Sequence, residues 1–283
     1  MSLFRAGLVL LAAGLAACAS PQGDRSPAAV VQQLAPTGKV RAALLVGPTA
    51  NTFRATLDPA TNRPRGVAVD LATALGEKLG ASVELVTYSN YVDFLEAAAR
   101  GAWDVTFIPF DQERTKVMDY GPAYYFFEFT YLVPEGSAIR SQGEVDRPGV
   151  RIAVAEGSVT ARNREQALKN ASLLRFKTLA EIREQVRAGK VDAAAAGRET
   201  LTGLAAQLPG ARVLEGRFHV EGVAVAVPKN RPGALAYVSE FIETAKATGV
   251  VRRAFDNGGF KDAAVAPAGC ATRRARDSTW PAR

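Results

Sequence analysis

The sequence contains almost no cysteine or histidine. Of its 283 residues, two are cysteine and one is histidine, His219. Two cysteines cannot build a disulfide framework or a cysteine-rich zinc site, and a single histidine excludes any metal site or catalytic scheme that needs two. We therefore expect a protein without a metal or another cofactor, and we interpret His219 as a structural residue.

Long hydrophobic runs are also missing, apart from one at the N-terminus. After the positive charge of Arg5, residues 6–15 form an apolar run (AGLVLLAAGL). That run is too short to span a bilayer, which needs about 20 residues. A short positive segment followed by such a run is typical of a signal peptide, which we place at residues 1–17. No later stretch approaches the length of a membrane span.

The end of this segment, Leu15-Ala16-Ala17-Cys18, resembles the lipoprotein box of bacteria. In that motif the signal is cleaved before a cysteine, whose acyl chains then anchor the protein to a membrane. We predict lipidation at Cys18, a tether over residues 18–37, and an exported, periplasmic lipoprotein of the cell envelope. The alternative is an ordinary signal peptide in which Cys18 is incidental.

A large excess of one charge sign is missing from the body of the chain. The net charge is +7, and part of it lies in residues 261–283, where Lys261 and four arginines face two aspartates. A basic tail on a nearly balanced domain is weak support for nucleic-acid binding. We interpret residues 261–283 as a solvated basic tail in which Cys270 is an incidental thiol, and we expect no nucleic-acid partner.

Between residues 38 and 260, predicted strands and helices alternate. Leu71, Leu75 and Leu79 define one face of a helix over Val67–Leu79 that ends at Gly80. Strands are predicted at 40–46, 82–87, 103–108, 127–133, 150–155, 173–176, 191–196 and 220–227, and further helices at 91–100, 158–169, 199–207 and 232–249. This alternation is typical of an α/β fold with parallel sheets and helices on both faces. About 220 residues are many for one such sheet, so two lobes are expected.

Several longer motifs follow one another in a recognisable order. They are GVAVDLATALGEKLGASVELV, FLEAAARGAWDV, QERTKVMDYGPAYY, FTYLVPEG, RIAVAEGS, AEIREQVRAGKVDAAAA and VAVAVPKNRPGALAYVSEFIETAKATG. Together they closely resemble the bacterial extracellular solute-binding proteins of family 3, the substrate-capturing components of amino-acid-type ABC importers. The resemblance covers about residues 38–260.

The resemblance implies a two-lobed periplasmic-binding-protein-like fold. Two crossing strands would join the lobes, a small solute would bind in the cleft, and the lobes would close around it. Lobe one would comprise residues 38–130 plus 223–260, and lobe two residues 131–222. The crossings would fall near Phe129–Leu132 and Glu221–Val225. The expected partners are a small-molecule solute and an ABC transporter permease, and the protein is expected to be a monomer.

The resemblance also implies two ligand-binding positions. Arg114 stands where the family has an arginine that clamps the ligand carboxylate, and a guanidinium fork matches a carboxylate bidentately. Ser158 stands at the family's Gly-Ser turn before a helix. With Val159 it would form an anion site from its hydroxyl and the free N–H groups of the helix N-terminus. The alternatives are a surface arginine and a plain N-cap serine.

Two departures from the family pattern bear on the ligand. Amino-acid binders place a serine or threonine pair before the arginine, whereas this chain has Pro109, which cannot donate a backbone hydrogen bond. They also place an aspartate after the strand at 191–196 to pair with the α-ammonium, whereas this chain has Gly197 and Arg198. Arg198 would repel an ammonium and attract an anion. We predict a carboxylate-bearing ligand, either an amino acid or, as the preferred class, an organic acid without an α-ammonium. The alternative for Arg198 is a surface charge.

Four further residues are candidate cleft residues. Asn51, Asn90 and Tyr91 follow predicted strands, at the end where α/β clefts bind ligands. Phe110 is a candidate for a wall of the pocket. Each residue type is also common in turns or in packing.

Two other functions compete with solute capture for import. A few proteins that resemble this family are dehydratases of cyclohexadienyl acids, and such an enzyme needs a general acid in the cleft. Glu128, Glu156 and Glu221 are the candidates for that acid. The third possibility is a periplasmic sensor module, although the sequence offers no fused signalling domain. We favour a binding protein over an enzyme.

Overall fold

The computed structural model describes residues 27–46 and 53–270. The predicted signal peptide, the lipidation site Cys18, the cleft candidate Asn51 and the last part of the basic tail lie outside the described residues.

The described part of the chain contains eleven strands and eight α-helices. The strands are β1 (Lys39–Leu45), β2 (Thr56–Leu57), β3 (Pro64–Arg65), β4 (Ser82–Tyr88), β5 (Val105–Pro109), β6 (Met118–Val133), β7 (Arg151–Ala155), β8 (Ser172–Phe176), β9 (Ala193–Gly197), β10 (Arg212–Val213) and β11 (His219–Pro228). The helices are α1 (Pro27–Leu34), α2 (Val67–Leu79), α3 (Tyr91–Ala99), α4 (Val159–Ala167), α5 (Leu179–Arg187), α6 (Arg198–Ala205), α7 (Pro232–Ala247) and α8 (Val250–Asn257). None of these helices has the length and apolar character needed to cross a membrane.

Nine of the strands form one mixed sheet. Its order is β4-β1-β5-β11-β6-β9-β7-β8, with β10 beside β6, while β2 and β3 form a separate hairpin. Strands β4, β1 and β5 are parallel, and so are β8, β7 and β9, as the alternation predicts. Strands β6, β10 and β11 run antiparallel to their neighbours. The sheet therefore consists of two parallel groups on either side of a central antiparallel pair.

The central pair, β6 and β11, joins the two lobes. Strand β11 pairs with β5 of lobe one at Val223–Ala226, and β6 pairs with β9 of lobe two at Phe129–Leu132. Between these contacts, residues 126–128 of β6 and 220–222 of β11 pair with each other. The first crossing thus lies just before the predicted Phe129–Leu132, and the second begins just before the predicted Glu221–Val225. The lobe boundaries at 130, 131, 222 and 223 stay predictions.

Strand β6 is much longer than predicted. It extends over 16 residues, whereas the apolar pattern predicted only 127–133. Gly121 and Pro122 resemble a turn in the sequence, but β11 continues to pair with this segment across a bulge between Val223 and Ala226. Pairing with a neighbouring strand therefore overrides the local turn signal.

Helix α1 corrects the predicted tether over residues 18–37. Val30 and Leu34 are buried, and the side-chain oxygen of Gln33 accepts a hydrogen bond from the Ala234 N–H at the start of α7 (3.0 Å). The guanidinium of Arg231 donates to the Gln33 carbonyl at 2.9 Å. Residues from 27 onward are therefore part of the packed domain, and a tether is restricted to the segment before them.

The C-terminal segment also differs from its prediction. The helix predicted over 232–249 ends at Ala247, because Gly249 adopts a left-handed conformation (φ 75°) and α8 starts in a new direction. Within the predicted solvated tail, Ala266 is buried and donates its N–H to the Tyr124 carbonyl at 2.9 Å. The Cys270 carbonyl accepts the N–H of Ala123 at 3.2 Å. The tail is therefore packed against lobe one as far as residue 270.

Candidate functional site

A cleft lies between the two lobes, beside the crossing strands. Its volume is about 870 Å³, including the part that is open to solvent. Lobe one contributes the ends of β1 and β5 and the residues at the start of α3, and lobe two contributes the corresponding ends of β7 and β9 and the starts of α4 and α5. The lining residues are Leu45, Val46, Arg54, Ala55, Ser89, Asn90, Tyr91, Pro109, Phe127, Phe129, Ala155, Ser158, Val159, Thr160, Lys177, Leu179, Ala195, Ala196, Gly197 and Thr200.

Arg54 is one of two cationic side chains in this lining. Its guanidinium donates hydrogen bonds to the hydroxyl of Tyr91 and, at 3.5 Å, to Oγ1 of Thr200. Arg54 follows β1 in lobe one and Thr200 lies in α6 of lobe two, so the side chain reaches across the cleft.

Lys177 is the second cation. It is exposed and comes just before Thr178, whose hydroxyl caps α5 by accepting the N–H of Glu181. None of the lining residues that the structure describes is an aspartate or a glutamate. The described walls of the cleft thus carry two positive charges and no carboxylate.

Tyr91 connects Arg54 to Arg114, which lies deeper in the protein. The Tyr91 hydroxyl accepts a hydrogen bond from Arg54, and the guanidinium carbon of Arg114 lies 4.7 Å from the centre of the Tyr91 ring. Burial opposes ionisation of this phenol, but the charges of Arg54 and Arg114 outweigh it and hold the pKa of Tyr91 below its ordinary value.

Arg114 does not line the cleft in this structure, and its predicted role as a carboxylate clamp stays a prediction. The residue is 2% exposed. Its guanidinium donates to the carbonyl oxygens of Pro109 (3.4 Å) and Gly157 (3.1 Å), while its Nε has no hydrogen-bond partner among the described residues. Tyr91 lines the cleft, and Arg114 packs against the ring of Tyr91. The tyrosine ring therefore separates Arg114 from the cleft in this structure.

A second contact beside Arg114 holds the lobes together. The carboxylate of Asp111, which is buried, accepts a hydrogen bond from Nε of Arg162 at 2.8 Å. Asp111 precedes the 3₁₀ turn that contains Arg114, and Arg162 lies on α4 of lobe two. This ion pair and the hydrogen bond from Arg114 to the Gly157 carbonyl both join lobe one to lobe two. The lobes are therefore in a closed arrangement in this structure.

The start of α4 forms part of the cleft floor, as the sequence predicts. Ser158 is the N-cap of the helix, and its Oγ accepts the Ala161 N–H at 3.0 Å. Ser158, Val159 and Thr160 all line the cleft. The first N–H groups of a helix have no partner within it, and they favour negative charge. The binding roles of Ser158 and Val159 stay predictions.

Gly197 and Phe127 form an apolar wall in the place that the sequence analysis connected with ammonium binding. Both residues line the cleft. A Cβ atom at position 197 would lie 2.1 Å from Cε1 of Phe127, so the phenyl ring occupies the space that a larger side chain would need. Compared with the family pattern, the sequence lacks an aspartate at this position. In the structure, the aromatic ring of Phe127 occupies the space beside Gly197.

Arg198 does not line the cleft in this structure, and its predicted role as an anion-binding residue stays a prediction. Its Nε donates to the carboxylate of Glu128 at 3.2 Å, and the other nitrogens donate to the carbonyls of Leu214 and Gly216. Glu128 also pairs with Arg217. Arg198 is therefore held by Glu128 on crossing strand β6 and is not part of the cleft lining.

The two remaining described candidates have different positions. Asn90 lines the rim of the cleft and caps α3, because its side-chain oxygen accepts the Asp93 N–H at 2.9 Å. Phe110 does not line the cleft and packs against Tyr120 with ring centres 5.0 Å apart. Phe110 is therefore a packing residue and not a pocket wall.

None of the three candidate general acids lines the cleft. Glu128 pairs with two arginines and Glu221 pairs with His219 at 3.2 Å, while Glu156 is also missing from the lining. Burial raises the pKa of another carboxyl group, that of Glu199, although the hydrogen bond from Tyr125 works against this shift. Glu199 faces Tyr125 and is not a lining residue either.

The geometry defines a binding protein with a cleft between two lobes, and comparison with known families agrees. Residues 44–257 match the model of the bacterial extracellular solute-binding proteins, family 3. Because the match covers most of the chain, the protein belongs to this family.

Relatives and solved structures support the same class. The chain is 28% identical over 181 residues to the glutamine-binding protein of Geobacillus stearothermophilus, covering 61% of this chain and 67% of the relative. It is 24% identical over 197 residues to the ABC transporter glutamine-binding protein GlnH of Bacillus subtilis (strain 168), covering 68% and 71%. The fold is similar to that of an ancestral amino acid-binding protein, a precursor of cyclohexadienyl dehydratase, with a TM-score of 0.70, 23% identity and coverage of 80% and 97%.

The sequence analysis missed three residues that shape the cleft. Arg54 and Lys177 supply its positive charge and Phe127 one of its apolar walls. Lys177 directly follows the strand predicted at 173–176, so the rule that placed Asn90 at the cleft applies to it as well. No local signal distinguishes Arg54 from other loop arginines, and Phe127 belongs to a predicted strand in which it does not differ from the other apolar residues.

Proposed function

We propose that this protein is the solute-binding component of an ABC importer and that it captures a small carboxylate-bearing solute without an α-ammonium group. The observation that carries the proposal is the lining of the cleft, which has Arg54 and Lys177 but no carboxylate among its described residues. Membership of the solute-binding family and the similarity to an ABC transporter glutamine-binding protein support the importer role.

The charge balance of the cleft favours an organic acid over an amino acid. A carboxylate that leaves water gains charge-assisted hydrogen bonds from a guanidinium. An ammonium that enters the same cleft loses its hydration and meets no described carboxylate in compensation. The ring of Phe127 beside Gly197 leaves no space there for an acidic side chain that would hold an ammonium.

A thermal-shift screen of the purified protein tests the proposed ligand class. A ligand at about 100 times its dissociation constant adds about 2.7 kcal/mol, or roughly 5–10 °C in a protein of this size. We expect shifts with organic acids and none with the corresponding amino acids. A shift with ordinary amino acids would overturn the preference for ligands without an ammonium. No shift with either class would overturn the proposal as a whole.

The proposed location is the periplasm, where a lipid attached at Cys18 anchors the protein to a membrane of the cell envelope. Incorporation of labelled palmitate into the wild-type protein, and its loss in Cys18→Ala, would support this anchor. Equal labelling of both proteins, or labelling of neither, would contradict it. Residues before 27 would then connect the lipid to the packed domain.

A further inference from the structure

We infer that Arg54 holds the carboxylate of the solute and that the rest of the solute is apolar, which makes its class the branched-alkyl and aryl monocarboxylic acids. This inference rests on the proposed function and names the residue and the ligand class of the same cleft.

The contacts of Arg54 leave room for a carboxylate. A guanidinium has five N–H donors in a planar fork. The Arg54 guanidinium donates hydrogen bonds to the Tyr91 hydroxyl and, at the long distance of 3.5 Å, to Oγ1 of Thr200. Among the described residues, Arg54 forms no ion pair with a carboxylate, and its hydrogen bonds are the two given above. A carboxylate in the cleft would complete its bonding.

The position of Arg54 fits a ligand that helps to close the lobes. The residue belongs to lobe one, and Thr200 belongs to lobe two. A carboxylate on this fork would therefore lie at the lobe interface, near the N-terminus of α4, where Thr160 lines the cleft. Both the guanidinium and the first turn of the helix favour negative charge at this place.

Arg114, the arginine that the sequence favoured, cannot take this role in the observed arrangement. It is 2% exposed, and its two terminal nitrogens donate to backbone carbonyl groups. The ring of Tyr91 lies against it. Arg114 instead supports Tyr91, which in turn contacts Arg54.

Part of the cleft is suited to an apolar body, while polar side chains line other parts, namely Ser89, Asn90, Ser158, Thr160, Lys177 and Thr200. Large apolar side chains come from both lobes, and they are Leu45, Val46, Phe127, Phe129, Val159 and Leu179. Pro109 and Gly197, at the ends of β5 and β9, add no polar side chain. A ligand with many hydroxyl or amide groups would lose hydration at these walls without a matching hydrogen bond.

Isothermal titration calorimetry with matched probes tests the ligand class. The probes are isocaproate and hydrocinnamate, their α-amino counterparts leucine and phenylalanine, the neutral isocaproamide, and the polar dicarboxylate succinate. We expect the two apolar acids to bind at least tenfold more tightly than each of the other probes. Binding of succinate in preference to the apolar acids would overturn the apolar body. Binding of leucine or phenylalanine in preference to them would overturn the proposed ligand class without an α-ammonium.

Arg54→Gln tests the residue. We expect it to weaken binding of the apolar acids at least tenfold, with partial recovery in Arg54→Lys. The matched control is Arg63→Gln, because Arg63 is an exposed arginine in the turn between β2 and β3. Its affinity should equal that of the wild type. The circular dichroism spectrum and melting temperature of each ligand-free variant establish that it is folded.

The outcomes separate this inference from the function on which it rests. If the wild type binds apolar acids and Arg54→Gln binds them equally well, the role of Arg54 is wrong while the proposed function stands. If the wild type binds no probe with a carboxylate, the proposed function itself fails.

Discussion

The two lobes contain the same arginine–aspartate arrangement but bury it to different extents. In lobe one, the carboxylate of Asp104 accepts hydrogen bonds from the backbone N–H and Nε of Arg41, and another nitrogen of Arg41 donates to the Gly101 carbonyl. In lobe two, Asp192 accepts the same bonds from Arg151, which donates to the Gly189 carbonyl. Each arrangement joins the turn after a helix to two parallel strands.

The surroundings of the two aspartates explain the difference. The Asp104 side chain is fully buried, and it also pairs with Arg231 at 2.8 Å. The Asp192 side chain is 35% exposed and has one arginine partner, Arg151. Helices α1 and α7 cover the pair in lobe one, because Arg231 donates to the Gln33 carbonyl of α1. One local motif therefore contributes differently to stability according to what packs over it.

The largest expected effect comes from removing the two aspartates separately. Asp104→Ala leaves two arginines near a buried position without their carboxylate, which costs about 3–5 kcal/mol of unfolding free energy. Asp192→Ala breaks a pair that solvent screens, so we expect a loss of about 1 kcal/mol or less. Urea unfolding of the two variants measures both values. Equal losses would show that the burial of the pair does not determine its contribution.

A substitution at Gly197, where β9 ends in the cleft, is expected to have an intermediate effect on the free energy of unfolding. β5 and β9 end at corresponding places, β5 with Pro109 and β9 with Gly197. In Gly197→Ala the new methyl group would lie 2.1 Å from Cε1 of Phe127, and such overpacking costs about 1–3 kcal/mol.

A double-mutant cycle identifies the cause of that loss. In a Phe127→Ala background, Gly197→Ala should cost clearly less, because the ring is gone. Gly143→Ala is the control, since a methyl group there meets no atom within 4 Å, and its unfolding free energy should match the wild type. An unchanged cost of Gly197→Ala without the ring would contradict the contact with Phe127.

The smallest expected effect is a difference in acid stability due to Asp192. The hydrogen bond from Arg151 holds the pKa of Asp192 below its ordinary value, although partial burial works against this. The stabilisation is present above the unfolded pKa of about 3.9 and is lost as the pH falls through the lower pKa of the folded state. Asp192→Asn should therefore lose less stability than the wild type on acidification below about pH 4. Parallel acid curves in denaturant titrations would contradict this.

The sequence predicted the regular elements well wherever local signals agree. Helix α2 has the predicted bounds Val67–Leu79, because its leucine stripe and the left-handed Gly80 determine both the buried face and the end. Ser158 also stands at the predicted start of a helix, where it is the N-cap. In such segments, hydrophobic periodicity and capping chemistry depend only on nearby residues.

Elements whose stability comes from distant partners were predicted poorly. The N-terminal half of β6 contains turn-forming residues and is held by β11. Helix α1 has a small polar sequence before it and is held by α7 through Gln33. Predictions about cleft residues are limited in the same way. Arg198 forms an ion pair with Glu128, a residue 70 positions away in the chain.

The sequence by itself determined the α/β alternation, the family and the main helix caps, because each depends on short-range patterns or on an ordered set of motifs. The tertiary structure alone decided which arginine faces the cleft. Arg54 and Arg114 both follow strands, but Tyr91 and Gly157 enclose Arg114 and leave Arg54 at the lining. The exposure of a charge depends on the elements packed around it, and a local sequence pattern does not contain that information.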